Sequence, residues 1–299
     1  MADTDSQHLY TPQALEACEI ALRTILTKIG PWGGKLILIG GMAPKYIVGK
    51  APSDMKEHVG TTDLDVVVGV TISTEEDEAY RTLQQNLRDA KFAPAVNPDT
   101  GNEETFRWTR EVDGVRVFLE FFCPVAQGEP GKLYRKPGKN IGSKISAIRT
   151  PGANLAAIDN FAVVLRGETL DQGGIQEGVE ARVAGLLPFI VLKAYAIEQR
   201  DKAKDSYDVI WTLNAFEKGP SSAVDAIATS PAIDQPEIPA AIAYLRKNFQ
   251  STEHRGPSQY ANFERSDGSE DERLRLKRYA FGTMIQFLER WNSLGLPKE

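Results

Sequence analysis

Only two cysteines and three histidines occur in the 299 residues, and they are scattered. Cys18 falls in a segment of helical spacing and Cys123 ends an apolar run, with no second Cys or His at zinc-ligand spacing from either. Both read as inert core thiols. His8, His58 and His254 each stand alone, without the oriented partner that a Ser-His-Asp machine needs, and read as solvated loop or surface residues. No run approaches the roughly 18 to 20 apolar residues that cross a bilayer, and the opening MADTDSQHLY has no basic stretch followed by an apolar one. The expectation is a cytoplasmic protein with no membrane partner. An excess of positive charge is missing as well: 35 Lys and Arg against 41 Asp and Glu leave a net charge of -6. Broad, non-specific binding to nucleic acid is thereby disfavoured, while local basic patches stay compatible.

What is present suits a globular chain, with 41% hydrophobic and 25% charged residues and enough length for two unequal parts. Helical spacing predicts a first helix over 12–29, stopped by Pro31-Trp32-Gly33-Gly34. A short apolar strand over 35–39 then runs into Gly40-Gly41, with helical turns over 42–48 and a polar loop over 49–60. The second strand spans 61–68 and opens on acids; a helix over 75–90 and a hairpin of 106–109 with 115–122 follow, turning at Val112-Asp113-Gly114. Residues 131–152 read as a basic loop, and 161–165 with 181–183 as two strands joined across 171–174. From Pro188 the pattern is helical, with helices over 222–228, 239–248 and 270–291 and a polar, mobile connection over 250–269. The fold class expected is α+β, a mixed sheet flanked by helices with a helical C-terminal domain, divided into 1–185 and 186–299.

Asp63 and Asp65 lie two apart on a strand and therefore project from one face. Such a pair is costly without a cation. Glu120 lies in the apolar run Val117 to Phe122 and completes the set if its strand is a neighbour in the same sheet. Three hard oxygen donors suit magnesium or manganese. Taken alone, an Asp-x-Asp is also what a solvated strand-edge pair looks like. Gly40-Gly41, between strand and helix, either brings backbone N–H groups close to phosphate or makes a plain tight turn.

The ordered set of strand, Gly-Gly, helix, Thr-x-Asp-Leu-Asp, hairpin and Glu resembles the polymerase-beta-type nucleotidyltransferase superfamily, matched here by Gly40, Gly41, Asp63, Asp65 and Glu120. A second block, Lys193, Arg200, Lys204-Asp205 and Tyr207-Asp208, resembles AbiEii-type nucleotidyltransferases, commonly toxins of toxin-antitoxin or phage-abortive systems. The resemblance covers about 35–213. It implies a nucleotidyltransferase domain over 1–185 and metal ligation by Asp63 and Asp65, with Glu120 as the third acid. It also implies nucleotide contacts from Gly40, Gly41, Thr62, Lys193 and Arg200, and an active-site role for Asp205. An enzyme using Mg2+ or Mn2+ would move a nucleoside monophosphate from an NTP to an acceptor hydroxyl such as a tRNA or other RNA end, with a cognate antitoxin as partner. Val59 stands where a basic residue often precedes the acids, which either passes that role to Lys56 or Lys45 or alters nucleotide binding. A small-molecule or protein acceptor, or a non-catalytic nucleotide sensor or partner-binding scaffold, are the rival readings.

Lys193 follows the apolar run 186–192, so its ammonium needs a pocket or an acid, and a triphosphate is the expected partner. On one continuous helix Lys193, Arg200 and Lys204 would form a cationic stripe, with Asp205 either in the chemistry or capping the next helix. On this reading Lys193→Met spares the melting temperature. The run Lys132, Arg135, Lys136, Lys139, Lys144 and Arg149, with Tyr134, reads equally as an RNA grip or a solvated loop. Arg273, Arg275, Lys277 and Arg278 read as a solvated face, and Leu274, Tyr279, Phe281, Ile285, Phe287 and Leu288 as the packed side of the last helix.

Overall fold

The computed structural model describes residues 10–28, 36–68, 77–125, 129–134, 145–170, 175–265 and 268–298. It is a mixed α+β structure that divides into two compact units. The sheet unit is built from Thr11–Ala43 and Gly60–Ala184; the helical unit takes Tyr10, Pro44–Val59 and the chain from Gly185 onward.

In the sheet unit α1 (Pro12–Lys28) buries Ala14, Ala17, Cys18, Ala21, Leu22 and Ile25 and packs on the sheet. In the sheet β1 (Leu36–Ile39) lies between two other strands, and its Leu-Ile-Leu-Ile run is buried throughout. A 3-10 turn (Gly40–Met42) follows; then come α2 (Ala43–Val48), which from Pro44 onward belongs to the helical unit, and, back in the sheet unit, β2 (Asp63–Val68) and α3 (Asp77–Asp89). Next come β3 (Ala93–Val96), β4 (Glu103–Val112), β5 (Val115–Cys123), β6 (Leu133–Tyr134), β7 (Ala147–Arg149), α4 (Ala153–Ile158), β8 (Asn160–Glu168) and β9 (Ile175–Ala184). The strand order is β3-β4-β5-β2-β1-β9-β8, with β6 and β7 attached beside β5. β2 runs antiparallel to β1 and parallel to β5, so the acid strand and the Glu120 strand are immediate neighbours.

The structure adds to the sequence reading here. Strand β3 and helix α4 had no expectation, and the stretch 131–152 carries two short strands rather than loop alone. Arg135, Lys136, Lys139 and Lys144 of its basic run, and the turn 171–174, lie outside the described residues. The strands expected over 161–165 and 181–183 are the long hairpin β8–β9.

The helical unit contains α5 (Leu186–Gln199), α6 (Ala203–Ala215), α7 (Pro220–Ile227), α8 (Glu237–Asn248), α9 (Arg255–Glu264) and α10 (Glu270–Ser293). The connection expected over 250–269 holds α9, which buries Tyr260 and Phe263 and bonds Gln259 to Ser206 at 2.8 Å. Gly256 permits this packing, because a Cβ there would come 2.4 Å from the Phe249 ring. The polar flanks hid these anchors. Along α10 the buried face is Ala280, Thr283, Met284, Phe287, Leu288 and Trp291, whereas Tyr279, expected to pack, is 44% exposed. Arg273, Arg275 and Arg278 are exposed, and Lys277 pairs with Glu253 at 2.7 Å. No helix among the described residues is long and apolar enough to cross a membrane.

The first turn of α10 is closed by a capping box: Ser269 Oγ accepts from the Glu272 N–H, and the Glu272 carboxylate accepts from the Ser269 N–H. Ser269→Ala is expected to destabilise the protein by about 1 kcal/mol and Ser269→Asp to leave it near wild type. Urea denaturation reads both, and an unshifted midpoint for the alanine variant counts against the cap.

Candidate functional site

The period of two in β2 and β5 sorts the side chains between two faces. Leu64 and Val66 with Val117, Leu119 and Phe121 are fully buried, while Asp63, Asp65, Phe118 and Glu120 are half-buried. The parallel register sets Asp65 opposite Glu120 and Asp63 opposite Phe118. All three acids named from the sequence therefore stand on one face of two adjacent strands.

Gly40 fits under this face. β1 ends at Ile39, opposite Asp65, and the chain turns away through Gly40 at φ +70. A Cβ on Gly40 would lie 1.9 Å from Asp65 Oδ2, so the carboxylate rests on the bare Cα and no larger residue leaves room for it. Gly41 is buried in the same turn, and Thr62 is half-buried just before the strand. Thr61 Oγ1 accepts from the Asp63 N–H at 3.2 Å, and the Thr61 carbonyl accepts from the Cys18 thiol at 3.5 Å. Burial, with the charges of Asp63 and Asp65 behind it, pushes the Cys18 thiol far up. Burial also pushes Cys123 up to about 11, so neither cysteine is a thiolate at neutral pH.

Glu120 is engaged by a residue that the sequence reading passed over. Arg107 Nε donates to Glu120 Oε1 at 2.5 Å, and its Nη2 bonds the same oxygen. Glu104 lies 3.6 Å from Nη1. Burial opposes the guanidinium charge, but Glu120, Glu104 and Asp63 outweigh it and raise the pKa. The signal was available: Arg107 and Glu120 are equidistant from the Asp113-Gly114 turn, so hairpin counting alone pairs them. In kind and placement the three carboxylates suit a hard divalent cation, with the Gly40 cradle seating one of them. As the side chains stand, no three acid, imidazole or thiol groups among the described residues converge to metal-ligand distance.

The second block forms a buried network inside the helical unit. Lys193 on α5 donates to Asp205 Oδ1 at 2.7 Å and lies 2.6 Å from Asp208 Oδ2, both acids being on α6. Arg200 holds Asp205 through Nε at 2.7 Å and Nη2 at 2.9 Å while remaining 54% exposed. Lys204 reaches Asp208 Oδ1 at 2.6 Å, and His58 Nε2 lies 2.9 Å from the same oxygen. Asp208 has no exposed side-chain surface. Burial works against both carboxylates, but Lys193 and Arg200 bring Asp205 down to about 2, and Lys193, Lys204 and His58 hold Asp208 well below the usual range. Lys193 stays charged because Asp205 and Asp208 overcome its burial, whereas burial prevails over Asp208 at Lys204 and lowers it. Burial likewise depresses His58, against the opposing pull of Asp208.

Several expectations change. The chain breaks between Gln199 and Ala203, so Lys193, Arg200 and Lys204 do not share one helical stripe. Asp205 does not cap α6; Lys202 occupies that position without a side-chain bond. His58, expected in solvent, is buried and edge-on to Trp211 at 4.8 Å between ring centres. With it, the Val59 N–H donates to the Tyr207 hydroxyl at 3.3 Å and Trp211 Nε1 donates to the Lys56 carbonyl at 2.9 Å. These bonds strap the segment before β2 onto α6. The Lys56 side chain is exposed, and Lys45 is half-buried on α2. His254 is half-buried, its Nδ1 2.7 Å from Ser251 Oγ; His8 lies outside the described residues. In the basic stretch Arg149 already stacks on Tyr134 at 5.2 Å and donates to the Leu133 carbonyl.

Comparison with protein-family models and with curated proteins finds no match to this chain.

Lys193→Met removes the cation shared by two buried carboxylates and leaves Asp205 to Arg200 and Asp208 to Lys204 and His58, so it is expected to cost about 3 kcal/mol, against the near-neutral effect expected from sequence. A melting temperature equal to wild type would return Lys193 to the ligand-contacting role. The acid limb follows by linkage. Asp205 has its ordinary value of 3.8 when unfolded and about 2 when folded, so its contribution is complete above pH 3.8 and disappears as pH falls through 2. Between pH 5 and 2 the urea midpoint should fall more steeply for wild type than for Lys193→Met; parallel slopes would show that this pair does not drive acid unfolding.

Proposed function

We propose that this chain is a divalent-cation-dependent nucleotidyltransferase that moves a nucleoside monophosphate from an NTP to an acceptor hydroxyl, releasing pyrophosphate. The observation that supports it best is the in-register pairing of Asp65 with Glu120, Asp63 on the same face, and the Asp65 carboxylate seated on Gly40. Asp63 and Asp65 would hold Mg2+ or Mn2+, with Glu120 completing the set. When bound, the ion supplies charge neutralisation for the phosphates and activation of the attacking oxygen. The bare Cα of Gly40 seats the Asp65 carboxylate, and the resemblance assigns the Gly40-Gly41 turn to the phosphate contacts.

In this reading the second block divides its labour. Lys193, Asp205 and Asp208 form the internal frame of the helical unit, and Arg200, half in solvent, is the member able to meet an anionic ligand. The acceptor we favour is an RNA end such as that of tRNA, in the cytoplasm, with a toxin or phage-defence role and a cognate antitoxin; these rest on the resemblance to AbiEii-type proteins. The Arg107–Glu120 pair favours a second reading, a nucleotide-sensing module whose third acid is occupied by an internal cation.

The test is incubation of the purified chain with each α-labelled NTP, Mg2+ or Mn2+, and total RNA or protein. Label is expected in one acceptor fraction, and Asp65→Asn is expected to lower the rate by at least about tenfold, or roughly 1.4 kcal/mol of barrier. Asp65-dependent nucleotide binding without transfer selects the sensor, and full transfer by the Asn variant rejects the metal site.

A further inference from the structure

The guanidinium of Arg107 occupies the acid face itself. It bonds Glu120 Oε1 through Nε at 2.5 Å, lies within reach of Glu104 at 3.6 Å, and sits 5.5 Å from the centre of the Phe118 ring. Phe118 is the cross-strand partner of Asp63, and Glu120 that of Asp65. The positive charge therefore sits beside Glu120 on the acid face, and Asp63 contributes to holding it there.

A guanidinium and a divalent cation cannot share one carboxylate cheaply, because the two positive charges would sit a few ångströms apart. One must yield. Arg107 is the movable party: its side chain is 39% exposed against 13% for Glu120, so the guanidinium can swing into solvent while the carboxylate stays on the strand face. We propose that Arg107 is a resident counter-ion that competes with the divalent cation for Glu120, keeping the acid set incomplete until an anionic substrate gives the guanidinium another partner. A phosphate group is that partner by chemistry, since the planar fork matches its oxygens two at a time. Arg107 is thus a positioning residue that couples cation loading to nucleotide arrival. This rests on the metal reading of Asp63, Asp65 and Glu120 given above.

The experiment uses Mn2+ alone, titrated into the full chain, with free Mn2+ followed by electron paramagnetic resonance. Arg107→Gln is expected to bind Mn2+ about tenfold more tightly than wild type, from removing one adjacent positive charge. Arg110→Gln removes an equal charge from the same strand at a side chain bonded to the Ala90 carbonyl, and is expected to change affinity less than about twofold. Adding Glu120→Gln to Arg107→Gln should cancel the gain. Wild type given a non-hydrolysable NTP analogue should approach the Arg107→Gln affinity. If Asp65→Asn abolishes Mn2+ binding but Arg107→Gln and Arg110→Gln behave alike, the competition is overturned while the metal site stands. If no Mn2+ binding depends on Asp65, the metal site falls and this inference with it.

Discussion

Burying a charge without its opposite costs more than most single contacts return, and both units of this protein are arranged around that constraint. Asp208 is the extreme case. With no exposed side-chain surface, it needs Lys193 from one helix, Lys204 from its own, and His58 from a segment 150 residues earlier. These contacts tie α5 to α6 and hold the end of the Pro44–Val59 segment on α6. Ile190 and Val191 beside Lys193 in sequence, and Val209 and Ile210 beside Asp208, are buried as well.

In the sheet unit the same constraint acts more gently and leaves room for chemistry. Asp63, Asp65 and Glu120 are half-buried rather than sealed, so their charges are tolerable without a full complement of internal partners. Backbone pairing makes the arrangement possible, since parallel register between β2 and β5 sets acid beside acid without any side chain directing it. One unit uses sealed carboxylates as structural joints; the other leaves its acids half-buried on a strand face.

Much of the sheet unit was legible in the sequence because its signals are local. The apolar run ending in Gly-Gly, the alternation from Asp63 and the Asp113-Gly114 turn each fall within one element, and each element formed near its expected place. What escaped depends on partners distant in sequence. His58 sits among polar residues, and nothing nearby announces Asp208. Helix α9 hides its apolar anchors, Tyr260 and Phe263, in a segment whose flanks look like a linker. Lys193 was singled out correctly as a lysine needing an anion, but the anion came from the chain itself. The physical demand was readable, whereas the choice between an internal and an external partner was not. For Arg107 the necessary information was present in hairpin arithmetic and went unused.

The chain's route has an evolutionary consequence. It passes from the sheet unit into the helical unit after Ala43, returns at Gly60, and leaves again at Gly185. Pro44–Val59, with His58 and the Lys56 carbonyl, is therefore helical-unit material encoded inside the sheet unit's sequence. Neither unit is a contiguous cassette. Recombination that joins a foreign helical module at residue 185 would carry the old strap along and give it nothing to bind, so the two units are expected to travel through genomes together and to diversify by point substitution rather than by exchange of modules.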